Sequence, residues 1–155
     1  MLKRSPLDDD FDDGPVGTIL VFNHDADAAE LVGRLVEHAG FGALRFGDAA
    51  GLIGQLAEGG VAAVIIDALG TGISAAFELL DAIRADRAGS DTAVIILAAT
   101  DTNRLYAYQS GVDAFVVRPF HADELIEEVR TTIGRSVDER ERHRREQLEA
   151  GGATG

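Results

Sequence analysis

One aspartate, Asp67, stands at a position where site chemistry is expected. It directly follows residues 61–66, an unbroken apolar run of the kind that forms a strand covered on both faces of a parallel sheet. The Asn-His-Asp segment at residues 23–25 and the Ala98-Ala99 pair follow two other predicted strands. Because the loops after parallel strands gather at the carboxyl edge of a sheet, where binding sites form, we expect these three positions to converge. Asp67 is then either a site carboxylate or a cap of the turn or helix that follows it.

The residue types at this edge restrict the chemistry that they can perform. The loop after the first predicted strand, residues 23–27, contains no glycine, so it does not form a phosphate-cradling loop. Neither a nucleophile–base pair nor a cluster of metal-binding residues is recognisable, and the sequence has no cysteine. We therefore do not expect an enzyme with a turnover of its own.

The elements that position these residues alternate between strand and helix. Five short apolar runs are predicted as strands, at residues 18–22, 43–46, 61–66, 93–98 and 114–117. Each is followed by a segment predicted as a helix, at residues 25–39, 49–57, 74–87, 103–110 and 121–133. This order predicts an α/β fold, in which a doubly wound, five-stranded parallel sheet carries helices on both faces.

The composition is that of a globular protein, with 46% hydrophobic and 26% charged residues in a chain of 155. The net charge is −13, and most of it lies in residues 16–133. An acidic surface repels phosphate backbones, so we expect no direct contact with nucleic acid. No apolar stretch reaches the roughly 18 residues of a membrane helix, and the N-terminus lacks the apolar core of a signal peptide. We expect a cytoplasmic protein that does not contact a membrane.

Both ends of the chain differ in composition from its centre. Residues 1–15 are acidic, and we expect a disordered tail. Residues 134–155 are dense in charge, with opposite charges four positions apart, and no apolar residue lies between Val137 and Leu148. A coiled-coil seam is therefore absent. We expect a C-terminal extension that is partly helical or disordered, prolongs the last helix into solvent, and is too short to form an output domain.

Three segments carry the motifs of a known family. Residues 61–67, followed by Phe-Glu-Leu-Leu at 77–80, match a phosphoacceptor strand and its next helix. Residues 111–120, Gly-Val-Asp-Ala-Phe-Val-Val-Arg-Pro-Phe, match a closing motif, and residues 18–22 occupy the place of a first strand. Together they resemble the receiver domain of two-component response regulators, which has the CheY-like form of the flavodoxin-like (β/α)5 fold. We assign residues 16–133 to this domain.

The resemblance implies a signalling role in which a histidine kinase transfers a phosphoryl group to Asp67. In the family, two acids after the first strand hold Mg²⁺, while a hydroxyl after the fourth strand and a lysine before Pro-Phe bind the phosphoryl oxygens. An aromatic residue on the fifth strand, here Phe115, then changes position. Phosphoryl transfer of this kind is mostly positioning and charge neutralisation, so these groups are the catalyst.

Most of these supporting groups are replaced in this sequence. The acid pair falls on Asn23 and His24, and Asp25 points elsewhere if strand alternation continues into the loop. Mg²⁺ prefers an octahedral shell of hard oxygens, which these two side chains do not supply, so we expect weak or no Mg²⁺ binding and no other metal or cofactor. The hydroxyl position is Ala98, which cannot hydrogen-bond a phosphoryl oxygen.

Two further side chains could determine whether the cleft is filled and which way the switch aromatic faces. Arg118 stands at the lysine position and keeps the charge, but its planar fork could instead pair bidentately with Asp67 and occupy the cleft. Phe115 lies next to the small Ala98, and we expect its ring to face inward permanently.

The imidazole of His24 has three interpretations. It could be a metal ligand, although the other histidines are scattered along the chain. It could be a pH sensor beside Asp67. We favour the third interpretation, in which the ring fills the vacated metal site and hydrogen-bonds Asp67 or Asn23.

We therefore expect an atypical, single-domain receiver that acts by protein–protein interaction, with weak or no phosphorylation of Asp67. The expected partner is a histidine kinase or an output protein. It would bind the face formed by helix four, strand five and helix five, where Tyr106, Tyr108 and Phe115 lie; a homodimer is left open. For each tyrosine, the alternatives are ordinary packing and a single exposed ring.

The sequence is also compatible with two other functions. A phosphorylatable receiver could use Asn23 and a water in place of the acids, with Asp67 as phosphoacceptor. A flavodoxin-like binder of a small molecule could use the cleft at the carboxyl edge, although the missing glycine-rich loop speaks against it.

Overall fold

The structure is a computed structural model, and it describes residues 17–154, with side chains through residue 151. The predicted N-terminal tail, residues 1–15, lies outside the described residues. Five strands form one sheet: β1 (Thr18–Phe22), β2 (Gly42–Phe46), β3 (Val61–Asp67), β4 (Val94–Ala98) and β5 (Ala114–Val117). All neighbours are parallel, in the order β2-β1-β3-β4-β5.

Helices cover both faces of this sheet, as the alternation of elements predicts. They are α1 (Ala26–His38), α2 (Ala49–Glu58), α3 (Ile73–Ala85), α4 (Arg104–Gln109), α5 (Ala122–Gly134) and α6 (Val137–Thr154). One apolar cluster lies between the sheet and α2, α3 and α4, and the other lies between the sheet and α1 and α5. The doubly wound (β/α)5 fold is confirmed. Within residues 17–154, none of the helices has the length and apolarity needed to cross a membrane.

The central strands of the sheet determine where the site forms. β3 lies between β1 and β4, and its last five residues are buried. The register pairs Phe22 with Ile66 and Asp67 with Leu97, so the ends of β1, β3 and β4 lie side by side. The convergence of Asn23, Asp67 and Ala98 at the carboxyl edge follows directly from this register.

The C-terminal extension differs from its expected form. It is a helix, α6, but it does not prolong α5 into solvent. Ser136 begins α6 with a capping box, in which its Oγ accepts from Glu139 N–H and its own N–H donates to Glu139 Oε1. The helix then packs against α4, with Leu148 in contact with the apolar cluster on that side of the sheet. Apolar periodicity did not predict this packing, because no apolar residue lies between Val137 and Leu148.

Candidate functional site

The Asp67 carboxylate is completely buried at the end of β3 and is held by one guanidinium. Its Oδ1 accepts from Arg118 Nη1 at 3.0 Å and from the Leu69 backbone N–H at 3.1 Å, and its Oδ2 accepts from Arg118 Nη2 at 2.9 Å. Bidentate pairs of this kind are among the strongest hydrogen-bonded contacts in proteins. The bond from the Leu69 N–H also makes Asp67 a cap of the following turn, as one of the two sequence interpretations expects.

The arginine is positioned by the strand that precedes it. The Arg118 backbone N–H donates to the carbonyl of Ala98 at 2.9 Å, and its guanidinium carbon lies 5.4 Å from the centre of the Phe120 ring. The Arg118–Pro119 peptide bond is cis. Only 26% of the Arg118 side chain is exposed. Of the two arrangements considered for this residue, the structure contains the one in which Arg118 occupies the cleft.

The Asn23 side chain joins two loops at the cleft and is itself buried. Its Oδ1 accepts from the Asp25 N–H at 2.9 Å and from Thr71 Oγ1 at 3.2 Å, and its Nδ2 donates to the Leu69 carbonyl at 3.1 Å. A carbonyl oxygen has two lone pairs, and both have partners here. Asn23 is therefore committed to holding the β1–α1 loop against the β3–α3 loop.

Asn23→Ala is expected to lower the free energy of unfolding by about 1–3 kcal/mol, because it removes the three hydrogen bonds by which this buried side chain joins the two loops. Urea denaturation followed by circular dichroism measures the loss. Asn103→Ala is the matched control, since the Asn103 side chain makes no capping hydrogen bond at the start of α4, and a change below about 0.5 kcal/mol is expected there. Equal losses in the two variants would contradict the loop-joining role.

The preferred interpretation of His24 is wrong in this structure. Its side chain is exposed, its ring packs edge-on against Phe22 at 5.4 Å, and its backbone N–H donates to Thr71 Oγ1. Among the described residues, its ring forms no hydrogen bond with Asp67 or Asn23. The physical reason is alternation, because Asn23 faces inward and the next side chain turns outward, so Arg118 fills the cleft instead.

The neighbouring acid also serves the backbone. Asp25 is the N-cap of α1, and its Oδ1 accepts from the N–H groups of Asp27 and Ala28. In residues 17–154, no group of three or more histidine and acidic side chains has an arrangement that could hold a metal ion.

The aromatic position on β5 faces inward. Phe115 and Ala98 are both buried in the same apolar cluster. Arg104 lies over the Phe115 ring, with its guanidinium carbon 5.3 Å from the ring centre, and its Nη1 donates to the Phe115 carbonyl at 3.2 Å. The Ala98 methyl group offers no hydrogen bond at the cleft. The ring is thus held from the α4 side.

One cavity opens beside the cleft, at the carboxyl edge of the sheet. It has a volume of about 440 Å³ and lies between the β3–α3 and β4–α4 loops, with Thr71, Thr100 and Asn103 as its polar side chains. Asp67 and Arg118 are not among the residues that line it. A small molecule in this cavity would not contact the carboxylate.

The two tyrosines of the predicted interaction face have different surroundings. Tyr106 is 51% exposed and packs edge-on against Phe77 of α3. Tyr108 is buried, and its ring lies 5.9 Å from that of His143 on α6. Burial raises the pKa of Tyr108 above its ordinary value. Tyr106 thus follows the exposed-ring alternative, whereas Tyr108 is a packing residue and is not open to a partner.

A second buried carboxylate, Asp113, was missed by the sequence reasoning. Its Oδ2 accepts from the Val94 N–H and from Arg84 Nη2, both at 2.9 Å. Its Oδ1 lies 3.5 Å from Arg140 Nε and accepts from Arg144 Nη1. Burial lowers the pKa of Arg84, and the carboxylate of Asp113 acts against that shift. Asp113 lies within the motif at residues 111–120. Its position directly before the predicted strand at residues 114–117 is the feature of the sequence that could have indicated a buried charge.

Comparisons with known proteins found relatives in sequence and in structure. No protein-family model matches the sequence. The DNA-binding response regulator MtrA of Mycobacterium tuberculosis (strain ATCC 25618 / H37Rv) is 30% identical over 123 residues, which cover 78% of this chain and 52% of MtrA. The chain thus spans about half the length of the curated relatives it matches.

Solved structures agree with the sequence relatives. A sensor protein from Polaromonas sp. JS666 superimposes with a TM-score of 0.64 at 25% identity, covering 77% of this chain and 97% of that one. The chemotaxis response regulator CheY4 of Vibrio cholerae superimposes with a TM-score of 0.65 at 15% identity, covering 75% and 98% respectively. With the order of the strands and the position of Asp67, these findings show that the chain carries a receiver domain of the response-regulator type, with the CheY-like fold.

Proposed function

We propose that this chain is an atypical receiver that signals by binding a partner protein and does not depend on phosphorylation of Asp67. The observation that carries the proposal is the bidentate pair between Arg118 and Asp67. Both carboxylate oxygens accept hydrogen bonds, and Oδ1 accepts a second one from Leu69. The group that would attack phosphorus is thus already engaged by a cation.

The cost of phosphorylation follows from this geometry. In the transfer, a carboxylate oxygen of Asp67 bonds to phosphorus while the bond from phosphorus to the donor's leaving atom breaks; that atom is a nitrogen in a kinase phosphohistidine and an oxygen in acetyl phosphate. A free lone pair and a cation on the phosphoryl oxygens are both needed. Oδ2 accepts only one hydrogen bond and keeps a lone pair, but Arg118 would have to move from the carboxylate to the phosphoryl oxygens. The Asn23 oxygen is committed to Asp25 and Thr71, so Mg²⁺ would gain few oxygen ligands.

The inward Phe115 ring supports the proposal that the switch position on β5 keeps one conformation. A hydroxyl at the Ala98 position would let a phosphoryl group pull the β4–α4 loop toward the site, and a methyl group does not. With the ring buried and Arg104 bonded to the Phe115 carbonyl, the switch position has no group that responds to phosphate. We infer that the surface seen by a partner is the same with and without a phosphodonor.

Intact mass spectrometry tests the proposal. The protein is incubated with acetyl phosphate and Mg²⁺, and Asp67→Ala is treated in parallel. We expect an unchanged mass for both proteins. A stoichiometric gain of about 80 Da in the natural sequence that is absent from Asp67→Ala would overturn the proposal.

One observation favours the alternative of a phosphorylatable receiver. A quarter of the Arg118 side chain is exposed, so the arginine could leave the cleft without unfolding of the sheet. Asn23 and a water would then replace the missing acids. The same mass measurement decides between the two, because only the alternative gives the adduct on Asp67.

A further inference from the structure

Helix α6 covers the α4 side of the domain, the region that the sequence assigns to a partner. Tyr108 is buried beneath His143, and Leu148 reaches the apolar cluster that contains Tyr108. A Cβ placed on Gly151 would lie 2.7 Å from Leu105 Cδ1, so the last turns of α6 pass directly over α4. The chain therefore occupies part of its own expected interaction face.

The ionic contacts of α6 converge on one buried carboxylate. Arg140 and Arg144, one turn apart, both reach the buried carboxylate of Asp113, and Arg140 also donates to the Asp91 carbonyl. Leu148, one further turn along, packs against the apolar cluster. No apolar residue lies between Val137 and Leu148, so apolar burial contributes little to the docking of this part of the helix.

A short hinge connects α6 to the rest of the domain. α5 ends at Gly134 and α6 begins at Val137, so only Arg135 and Ser136 lie between the two helices. Arg135 has extended backbone angles, and Ser136 caps α6 independently of α5. A cavity of about 420 Å³, lined by polar residues, separates the start of α6 from α5. Movement at two residues would therefore detach α6 and leave the five-stranded fold intact.

We infer that α6 is an intramolecular occupant of a binding face, and that the partner of this face is a helix with the same chemistry: two arginines one turn apart, followed after one more turn by an aliphatic side chain. This inference rests on the proposed function, in which the chain acts by protein contact. Charge complementarity supports it. When α6 is detached, Asp113 keeps its ion pair with Arg84 and loses those with Arg140 and Arg144. Residues 16–133 are strongly acidic, so a cationic helix would be attracted to this face and would replace the lost ion pairs.

Peptide binding to full-length variants tests the inference. A fluorescent peptide with the sequence of residues 137–154 is titrated against the natural protein and against the double variant Arg140→Ala/Arg144→Ala, and fluorescence anisotropy is recorded. We expect the double variant to bind at least tenfold more tightly than the natural protein, because its own α6 no longer competes. The double variant Arg142→Ala/Arg145→Ala loses the same charge from exposed positions and is expected to behave like the natural protein.

Two further arms keep the test decisive. Leu148→Ala loosens α6 with the ion pairs intact, so it should also gain peptide binding if the first variant is too unstable to use. A peptide with alanine at both arginine positions should not bind any variant. Equal peptide affinity in all proteins, or dimerisation of the opened variant without peptide binding, would overturn the inference. None of these binding results depends on Asp67. The mass measurement can therefore contradict the proposed function without contradicting this inference, and the peptide titration can contradict the inference without contradicting the proposed function.

Discussion

Arg118→Ala is expected to lower the free energy of unfolding by about 3 kcal/mol at neutral pH. The variant leaves the fully buried Asp67 carboxylate without its cation, and breaking one side of a buried ion pair costs about 3–5 kcal/mol. The partial exposure of Arg118 places the expected loss at the lower end of that range. Urea denaturation measures it. Arg34→Ala is the matched control, because the Arg34–Glu30 pair is exposed and its loss should cost less than about 1 kcal/mol.

A second substitution separates the charge from the packing. In the Arg118→Ala background, Asp67→Asn replaces the stranded charge with a neutral amide whose oxygen can still accept from Leu69. We expect it to recover at least half of the lost stability. Two results would show that Arg118 and Asp67 do not form a stabilising ion pair. One is a loss of unfolding free energy in Arg118→Ala no larger than that in Arg34→Ala. The other is that the free-energy changes of Arg118→Ala and Asp67→Asn are simply additive.

Asp113→Ala is expected to be at least as destabilising, with a loss of about 3–5 kcal/mol. The substitution removes the counter-charge of the partly buried Arg84 guanidinium, which keeps only carbonyl acceptors. It also removes the shared acceptor of Arg140 and Arg144, and it leaves the buried Val94 N–H without its partner. Thermal and urea denaturation measure the loss.

The matched control is Asp81→Ala, an exposed aspartate on α3, for which a change within about 0.5 kcal/mol is expected. Hydrogen exchange adds a second readout, since α6 amides should lose protection in Asp113→Ala and keep it in Asp81→Ala. Unchanged protection of α6 together with a stability equal to that of the control would show that Asp113 does not anchor the helix.

The parts of the fold that were predicted from sequence depend on apolar periodicity. The apolar run before Asp67 and the stripes on α1 and α5 specify which faces are buried, and the parallel order then brings Asn23, Asp67 and Ala98 to one edge. The order of the strands therefore predicted which residues form the site. The bidentate pairing of Arg118 with Asp67 was one of the two arrangements that the sequence allowed for this arginine.

The parts that were not predicted depend on polar contacts between distant residues. His24 and Arg118 were both candidates for the vacated space, and only the inward direction of Asn23 decides between them. α6 has no apolar stripe, so its docking depends on the position of Asp113 in space, and sequence periodicity does not encode that position. Buried charges that pair across elements are thus the features that sequence patterns describe least well.

The most direct test of the central claim is an intact-mass comparison of two proteins under one set of conditions. The natural sequence and the variant Asn23→Asp/His24→Asp/Ala98→Thr/Arg118→Lys, which restores the residue types of the family site, are treated with acetyl phosphate and Mg²⁺. We predict that the restored variant gains about 80 Da on Asp67 and that the natural protein gains nothing. A stoichiometric adduct on Asp67 of the natural protein, with Arg118 in place, would contradict it.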